Sequence, residues 1–219
     1  MAMFNLPPRT LYERKIPKNK FYEKLQAKSS LKEKFVRQVE QIIWKHKLSR
    51  HTVNIDPAPE VEEIQVFEVH LKQKELSLEV LESIDRVIPY PVLFVLLYGA
   101  EARLAIAYKK PSRQQENRFV VDSYYFSPWQ KQEELSLDLL QGRDLKAVYE
   151  NLIKHLMPAP QEKGQDLEKA VERHKEAERL KNEIAALEAK VAKERQFNRK
   201  VKYNLELQEK VKKLEKLWK

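Results

Sequence analysis

Residues 91–110 read PVLFVLLYGAEARLAIAYKK. Two apolar runs flank Gly99-Ala100-Glu101, and this pattern predicts two central β-strands joined as a hairpin. The neighbouring segments build outward from it. Toward the C-terminus, Lys109 to Asn117 reads as a polar loop and RFVVDSYYFSPW as a further strand. Leu135–Leu140 and Leu145–Met157 then read as helical, with Gly142-Arg143-Asp144 between them and Asp144 placed to cap the second. Toward the N-terminus, Ser77 opens a short helix, LEVLESIDRVI, closed by Pro89 and Pro91. Ahead of it, Ile64, Val66, Val69 and Leu71 give a strand over about residues 62–72, imperfect at Phe67 and preceded by a turn around Asp56-Pro57-Ala58-Pro59. The spacing of Leu31, Phe35, Val39, Ile42 and Ile43 predicts one amphipathic helix over residues 31–48, with Ser30 as N-cap, Glu33 in the capping box, and Trp44 and Leu48 extending the stripe.

The resulting fold class is α+β: a mainly antiparallel sheet packed on helices, followed by a long C-terminal helix or coiled coil. Four parts are expected. Residues 1–20, with Pro7, Pro8 and Pro17 among basic residues, form an extended arm whose Thr10, Arg14, Lys15, Lys18 and Lys20 are available to a partner, unless the arm is only a solvated segment pinned by Phe4, Leu6 and Tyr12. Residues 21–158 are the α+β domain, residues 159–164 a linker marked by Pro158-Ala159-Pro160 and Gly164, and residues 165–219 the helix.

That C-terminal stretch has no glycine or proline after Gly164 and alternates basic residues with Glu. Leu180, Ile184, Leu187 and Val191 follow a 4-3-4 coiled-coil spacing, resumed at Val201 and Leu205 after a polar interruption, KERQFNRKVK. Leu207, Val211, Leu214 and Trp218 then shift the stripe. The shift fits a bent rod or a hairpin folded near Arg195 to Lys200. With neither Gly nor Pro to mark a turn, a continuous rod of roughly 80 Å is the expected form. The interruption carries Arg195, Phe197, Arg199, Lys200 and Lys202. Facing nucleic acid, the four cations would neutralise phosphates without reading sequence. Facing protein, Phe197 would be the buried anchor and the charges its rim, which is the favoured reading because a solvated surface leaves Phe197 unexplained.

Composition narrows the function classes. The 219 residues carry 42 Lys and Arg against 33 Asp and Glu, a net charge of +9 that favours an anionic partner, nucleic acid or an acidic protein surface. There are no cysteines, which excludes thiolate catalysis, disulfides and Cys-ligated zinc. A mean hydropathy of -0.67, the absence of an 18-residue apolar run and an N-terminus without a signal-type apolar core imply a cytoplasmic chain with no membrane association. The abundance of Lys, Arg and Glu would also suit a heat-adapted source.

Catalytic constellations are sparse. Glu68, His70 and Lys72 alternate on one strand and project from one face, which resembles the metal-holding acid and water-positioning lysine of a PD-(D/E)xK nuclease. His70 stands where that pattern has an acid, and Asp56, Glu62 and Glu63 compete for the upstream role. A degenerate nuclease-like fold or a plain polar strand edge accounts for the same residues. His46, His51, His155 and His174 lie on separate elements without ligand spacing, so no metal site and no cofactor are expected. Gly99, Gly142 and Gly164 are each isolated, leaving neither a phosphate loop nor a dinucleotide fingerprint. Tyr124, Tyr125, Phe126 and Trp129 read as sheet core or contact rim, with a base-stacking platform as the alternative.

The segments IPKNKFYEK (16–24), VEEIQVFEVHLKQKEL (61–76), LESIDRVIPYPVLFVLLYG (81–99), AYKK (107–110), DLKAVYENLIKHL (144–156) and KERQFNRKVKYNLEL (193–207) resemble a family of uncharacterised prokaryotic proteins, a domain of unknown function. Its genes lie beside helicases and DNA methyltransferases in restriction-modification and phage-defence clusters. The resemblance spans nearly the whole chain and carries no agreed active site. It implies a non-catalytic accessory role, with the C-terminal helix docking on a helicase or methyltransferase or on a second copy. Sequence-independent nucleic-acid binding and a degenerate metal-dependent nuclease are the alternatives. Asp85 lies in the most family-like segment, where bracing the turn before Pro89 is the favoured role.

Overall fold

The computed structural model describes residues 4–111, 119–158 and 166–217. The chain forms two compact units, Met1–Leu156 and Met157–Lys219. The expected linker 159–164, most of the polar loop after Lys110, and Trp218 lie outside the described residues.

The first unit is α+β. Its strands are β1 (Leu11–Ile16), β2 (Val39–Leu48), β3 (Ile64–Leu71), β4 (Val92–Tyr98), β5 (Glu101–Pro111), β6 (Phe119–Phe126) and β7 (Gln130–Lys131). Its helices are α1 (Asn19–Lys24), α2 (Ser29–Gln38), α3 (Arg50–Val53), α4 (Leu78–Val87) and α5 (Leu145–Leu156). Strands β1 to β6 lie side by side in chain order, and β7 pairs with β5. Every pairing is antiparallel except β3 with β4, where Gln65 faces Val92 and His70 faces Leu97. That parallel pair needs a crossover, and α4 supplies it. The β4–β5 hairpin closes on Gly99 and Ala100, with Tyr98 opposite Glu101 and Gly99 at a φ of 56°, the left-handed value that suits glycine at the first position of a two-residue turn.

One face of the sheet, carrying Ile42, Phe67, Val69, Phe94, Leu96 and Ala105, packs against Phe21 of α1, Phe35 of α2 and Val80, Leu81 and Ile84 of α4. Helix α5 lies against β5 and β6 and buries Leu145, Val148, Leu152 and Ile153. Its first turn is capped as expected, the Ala147 N–H donating to Asp144 Oδ1 at 2.8 Å.

Three local expectations are overturned. Residues 31–48 are not one helix: α2 ends at Gln38 and the chain continues as β2, hydrogen-bonded to β1 on one side and β3 on the other. Val39, Ile42, Ile43 and Trp44 follow a helical period more closely than a strand period, and the two flanking ladders override it. Ser30 lies inside α2, whose N-cap is Lys28 with no side-chain cap bond. Of the expected extended arm, the described residues 4–20 are likewise held against the domain. β1 is the edge strand, Tyr12 lies against Trp44 with ring centroids 4.1 Å apart, and Thr10 is buried, bonded to the Pro7 carbonyl and to His46 Nδ1. Lys18 Nζ donates to the Val39 carbonyl at 2.7 Å. Finally, Leu135–Leu140 is not helical, although Leu135 and Leu139 are buried.

The second unit consists of α6 (Leu167–Lys193) and α7 (Phe197–Leu217). The helices pack against each other, so the expected continuous rod is a hairpin. Asp166 caps α6 by accepting from the Glu168 and Lys169 N–H groups. Glu194 takes extended backbone angles, and its Oε1 accepts the Gln196 N–H at 2.9 Å, so a carboxylate stabilises the turn that glycine or proline would otherwise mark. No helix among the described residues is long and apolar enough to cross a membrane.

Candidate functional site

The residues singled out on the C-terminal helix divide between two faces. Leu180 and Leu187 are buried and Ile184 and Val191 half-buried, facing a hairpin seam that Tyr203, Leu207, Val211 and Leu214 fill from α7. Lys210 Nζ meets Glu183 Oε2 at 2.6 Å, and Lys190 lies over the Tyr203 ring at 6.0 Å. The seam therefore closes within the chain. Val201 and Leu205, expected to continue it, are exposed, and with Phe197 they form an i, i+4, i+8 row on the outer side of α7. Phe197 is 77% exposed. Arg195, in the link before α7, and Arg199, Lys200 and Lys202, in its first two turns, are all exposed.

The hairpin has a direct physical signature. The chain contains no cysteine, so Glu183→Cys with Lys210→Cys introduces a unique pair. At low protein concentration a short bifunctional thiol reagent should join them within one molecule. In a continuous rod the 27 intervening steps would hold them about 40 Å apart, beyond its reach.

Asp85 sits in a closed polar centre. Its side chain is fully buried and that of Lys109 is 5% exposed, and Lys109 Nζ lies 2.8 Å from Asp85 Oδ1. The same ammonium donates to the Tyr90 carbonyl at 2.9 Å and reaches the Ile88 and Asp85 carbonyls at 3.4 Å. Tyr124 Oη donates to Asp85 Oδ2. Burial pushes the Asp85 carboxyl up, against the pull of Lys109 and Tyr124, and burial beside that carboxylate pushes the Tyr124 phenol up as well. Tyr149 Oη accepts the Lys109 N–H and donates to the Ala107 carbonyl, satisfying backbone groups beside the irregularity where β5 slips against β6. Lys109 thus ties the Asp85 carboxylate to backbone carbonyls on either side of Pro89. Lys109 read as the start of a loop in the sequence, and only the β5–β6 pairing reveals its inward direction.

Of Glu68, His70 and Lys72, the structure brings the first two together and directs Lys72 elsewhere. Glu68 Oε1 lies 3.7 Å from Lys45 Nζ and Oε2 lies 3.7 Å from His70 Nε2. Lys45 in turn holds Glu13 at 2.8 Å. Lys72 instead donates to the Val36 carbonyl in the last turn of α2, where a cation complements the helix end. No group of three or more His, Asp or Glu capable of holding a metal occurs among the described residues. Burial alone would raise the Glu68 carboxyl, but the neighbouring His70 and Lys45 outweigh it and hold the group below the usual carboxylate range. Tyr125 is buried, and Tyr124, Phe126 and Trp129 pack on the core, as expected for sheet aromatics.

The half-buried His46 has its imidazole pKa lowered from 6.5, first by desolvation and then by Lys45. Its proton affinity is weaker in the folded chain than in the unfolded one. The stability it contributes is fully present above the ordinary value and is lost as pH falls through the folded value. Urea unfolding should therefore show stability declining from about pH 7 to about pH 5, with a shallower decline in His46→Gln. His174, also lowered by burial, leaves a residual slope in that variant.

The chain belongs to the family described as a domain of unknown function, DUF4391, whose model matches residues 4–214. No curated protein and no solved structure matches it at a significant level.

Proposed function

We propose that this member of an uncharacterised family is a non-catalytic accessory protein that docks a protein partner through the outer face of α7. The observation that carries the reading is the Phe197, Val201 and Leu205 row, exposed on a helix whose other apolar side is already occupied by α6. Single exposed apolar residues are ordinary, but a row of three at helical spacing suits an apolar groove on a partner. Lys200 and Lys202, about 100° to either side of the row, would meet acidic groups at the edge of that groove, while Arg199 lies on the far side of the helix. A second copy is the alternative occupant of the same row. Nucleic acid would account for the cations and leave the apolar row unexplained.

The partner class rests on the resemblance: a helicase or DNA methyltransferase of a restriction-modification or phage-defence system. Two measurements on the full chain separate the readings. Light scattering should give the monomer mass from low to high salt, and unrelated DNA duplexes should not bind through α7. Self-association abolished by Phe197→Asp would replace the partner with a second copy. Duplex binding lost on neutralising Arg199, Lys200 and Lys202 would favour the nucleic-acid reading.

A further inference from the structure

Independently of the docking surface, the first unit carries a half-buried cation that has no counter-charge. Arg103 lies on β5 opposite Leu96 of β4, on the sheet face that packs against α1, α2 and α4, near the β4–β5 turn. Its guanidinium is held on two sides. Cζ lies over the Phe126 ring, 4.5 Å from the centroid, and Nε donates to the Ser127 carbonyl at 2.7 Å. Ser127 is itself fixed, because its Oγ accepts the Leu104 N–H at 2.9 Å. Among the described residues neither Nη1 nor Nη2 has a hydrogen-bond partner, and neither is buried. The result is a positioned donor fork with its far end open.

The charges nearby are already matched. Lys74 Nζ meets Glu101 Oε2 at 2.6 Å, and Lys131 Nζ meets Glu134 Oε1 at 3.8 Å. Among the described residues no carboxylate pairs with Arg103, and desolvation alone weakens its hold on its proton, with no neighbouring charge acting on it. One positive charge is therefore left over at this corner of the sheet. A fully exposed arginine would be satisfied by water, but this one has given up one face and Nε, and an anion at the fork would offset that loss. Tyr98 adds an apolar contact. It stands opposite Glu101, so it shares the face and is the diagonal neighbour of Arg103, and its residue surface is 38% exposed.

We propose that Arg103 and Tyr98 form a binding subsite for a carboxylate carried on a flat apolar group. The two carboxylate oxygens accept from Nη1 and Nη2, and the apolar group lies against the Tyr98 ring. A single surplus charge matches a monoanion. A phosphate dianion would leave negative charge beside Glu101, and a nucleic-acid strand would bring still more against Glu101 and Glu134. A free aromatic acid and the C-terminal residue of a peptide share the proposed chemistry.

NMR titration of the nitrogen-15-labelled full chain tests it with benzoate, its neutral isostere benzamide, and phenyl phosphate. The readout is the Arg103 Nε–H resonance, identified by its loss in Arg103→Met. Benzoate should shift it saturably and bind at least about tenfold more tightly than benzamide, the difference expected of a charge-assisted hydrogen-bonded pair. Followed through backbone amides of the same corner, binding should be lost in Arg103→Met and weakened in Arg103→Lys, which keeps the charge and loses the fork. Tyr98→Ser should weaken it as well. Absence of saturable binding, equal affinity for benzoate and benzamide, tighter binding of phenyl phosphate, or benzoate affinity unchanged in folded Arg103→Met or Tyr98→Ser would overturn the proposal. If the Arg103 variants fail to fold, the wild-type ranking of the three compounds and Tyr98→Ser decide. A short peptide ending in phenylalanine, as free acid and as amide, identifies the source. Tighter binding of the free acid than of benzoate assigns a peptide end, and benzoate binding without that gain assigns a free aromatic acid.

Discussion

Lys109→Met is expected to destabilise the α+β unit by about 3–5 kcal/mol, because it strips a fully buried carboxylate of its counter-charge. Asp85 has no solvent to turn to, and Tyr124 can satisfy only one of its oxygens. The pH dependence of the loss is distinctive. Without Lys109 the folded chain holds the Asp85 proton more tightly than the unfolded chain does, so the destabilisation is smallest in acid and grows as pH rises toward neutrality. Asp85→Asn combined with Lys109→Met should recover a large part of the loss, since the amide removes the stranded charge and still accepts from Tyr124. A single variant within about 0.5 kcal/mol of wild type in denaturant titrations at neutral pH would show that the pair does not brace the turn before Pro89.

The second large effect separates the two faces of the C-terminal hairpin. Leu187 is buried between α6 and α7, and Leu187→Asp places a charge in that seam, at a cost of about 3 kcal/mol or more to the hairpin. Circular dichroism should report lost helix and an earlier thermal transition. Phe197→Asp removes a side chain that contributes little to folding and should stay within about 0.5 kcal/mol of wild type. The proposed docking inverts the ranking, because an aromatic anchor of this kind carries about 2 kcal/mol or more of binding, roughly a 30-fold change in affinity. A variant that is stable and yet deficient in binding is the signature of an interface residue.

Much of the sheet was legible from local pattern. Val92–Tyr98 and Glu101–Lys110 alternate or run apolar around a glycine turn, α4 begins after Ser77 and stops before its prolines, and Asp144 caps α5 as its position suggests. The misreadings share one cause, that long-range pairing outweighed local period. Val39–Leu48 is helical by spacing, but β1 and β3 need it between them. Residues 11–16, basic and exposed, became an edge strand because Tyr12 had Trp44 to cover. The turn at Glu194–Gln196 lacked the usual residues, and the placement of Glu183 against Lys210 and of Lys190 over Tyr203 reveals that α7 returns along α6.

The candidate sites were legible to a lesser degree. Phe197 and its flanking cations stood out in the sequence because an aromatic residue amid charge lacks a folding role. The shift in the apolar stripe hinted at two faces without saying which residues belong to each. Asp85 could be singled out by resemblance, but Lys109 and Tyr124, 24 and 39 positions away, are joined to it only by the β5–β6 ladder.

The central claim, that the outer face of α7 is a docking surface, is tested most directly by the affinity of the full chain for a helicase or DNA methyltransferase, the proposed partner class, measured for wild type and Phe197→Asp side by side. The account predicts a complex that the substitution weakens by about 30-fold or more while the thermal transition stays in place. Equal affinity of the two proteins for that partner would contradict it.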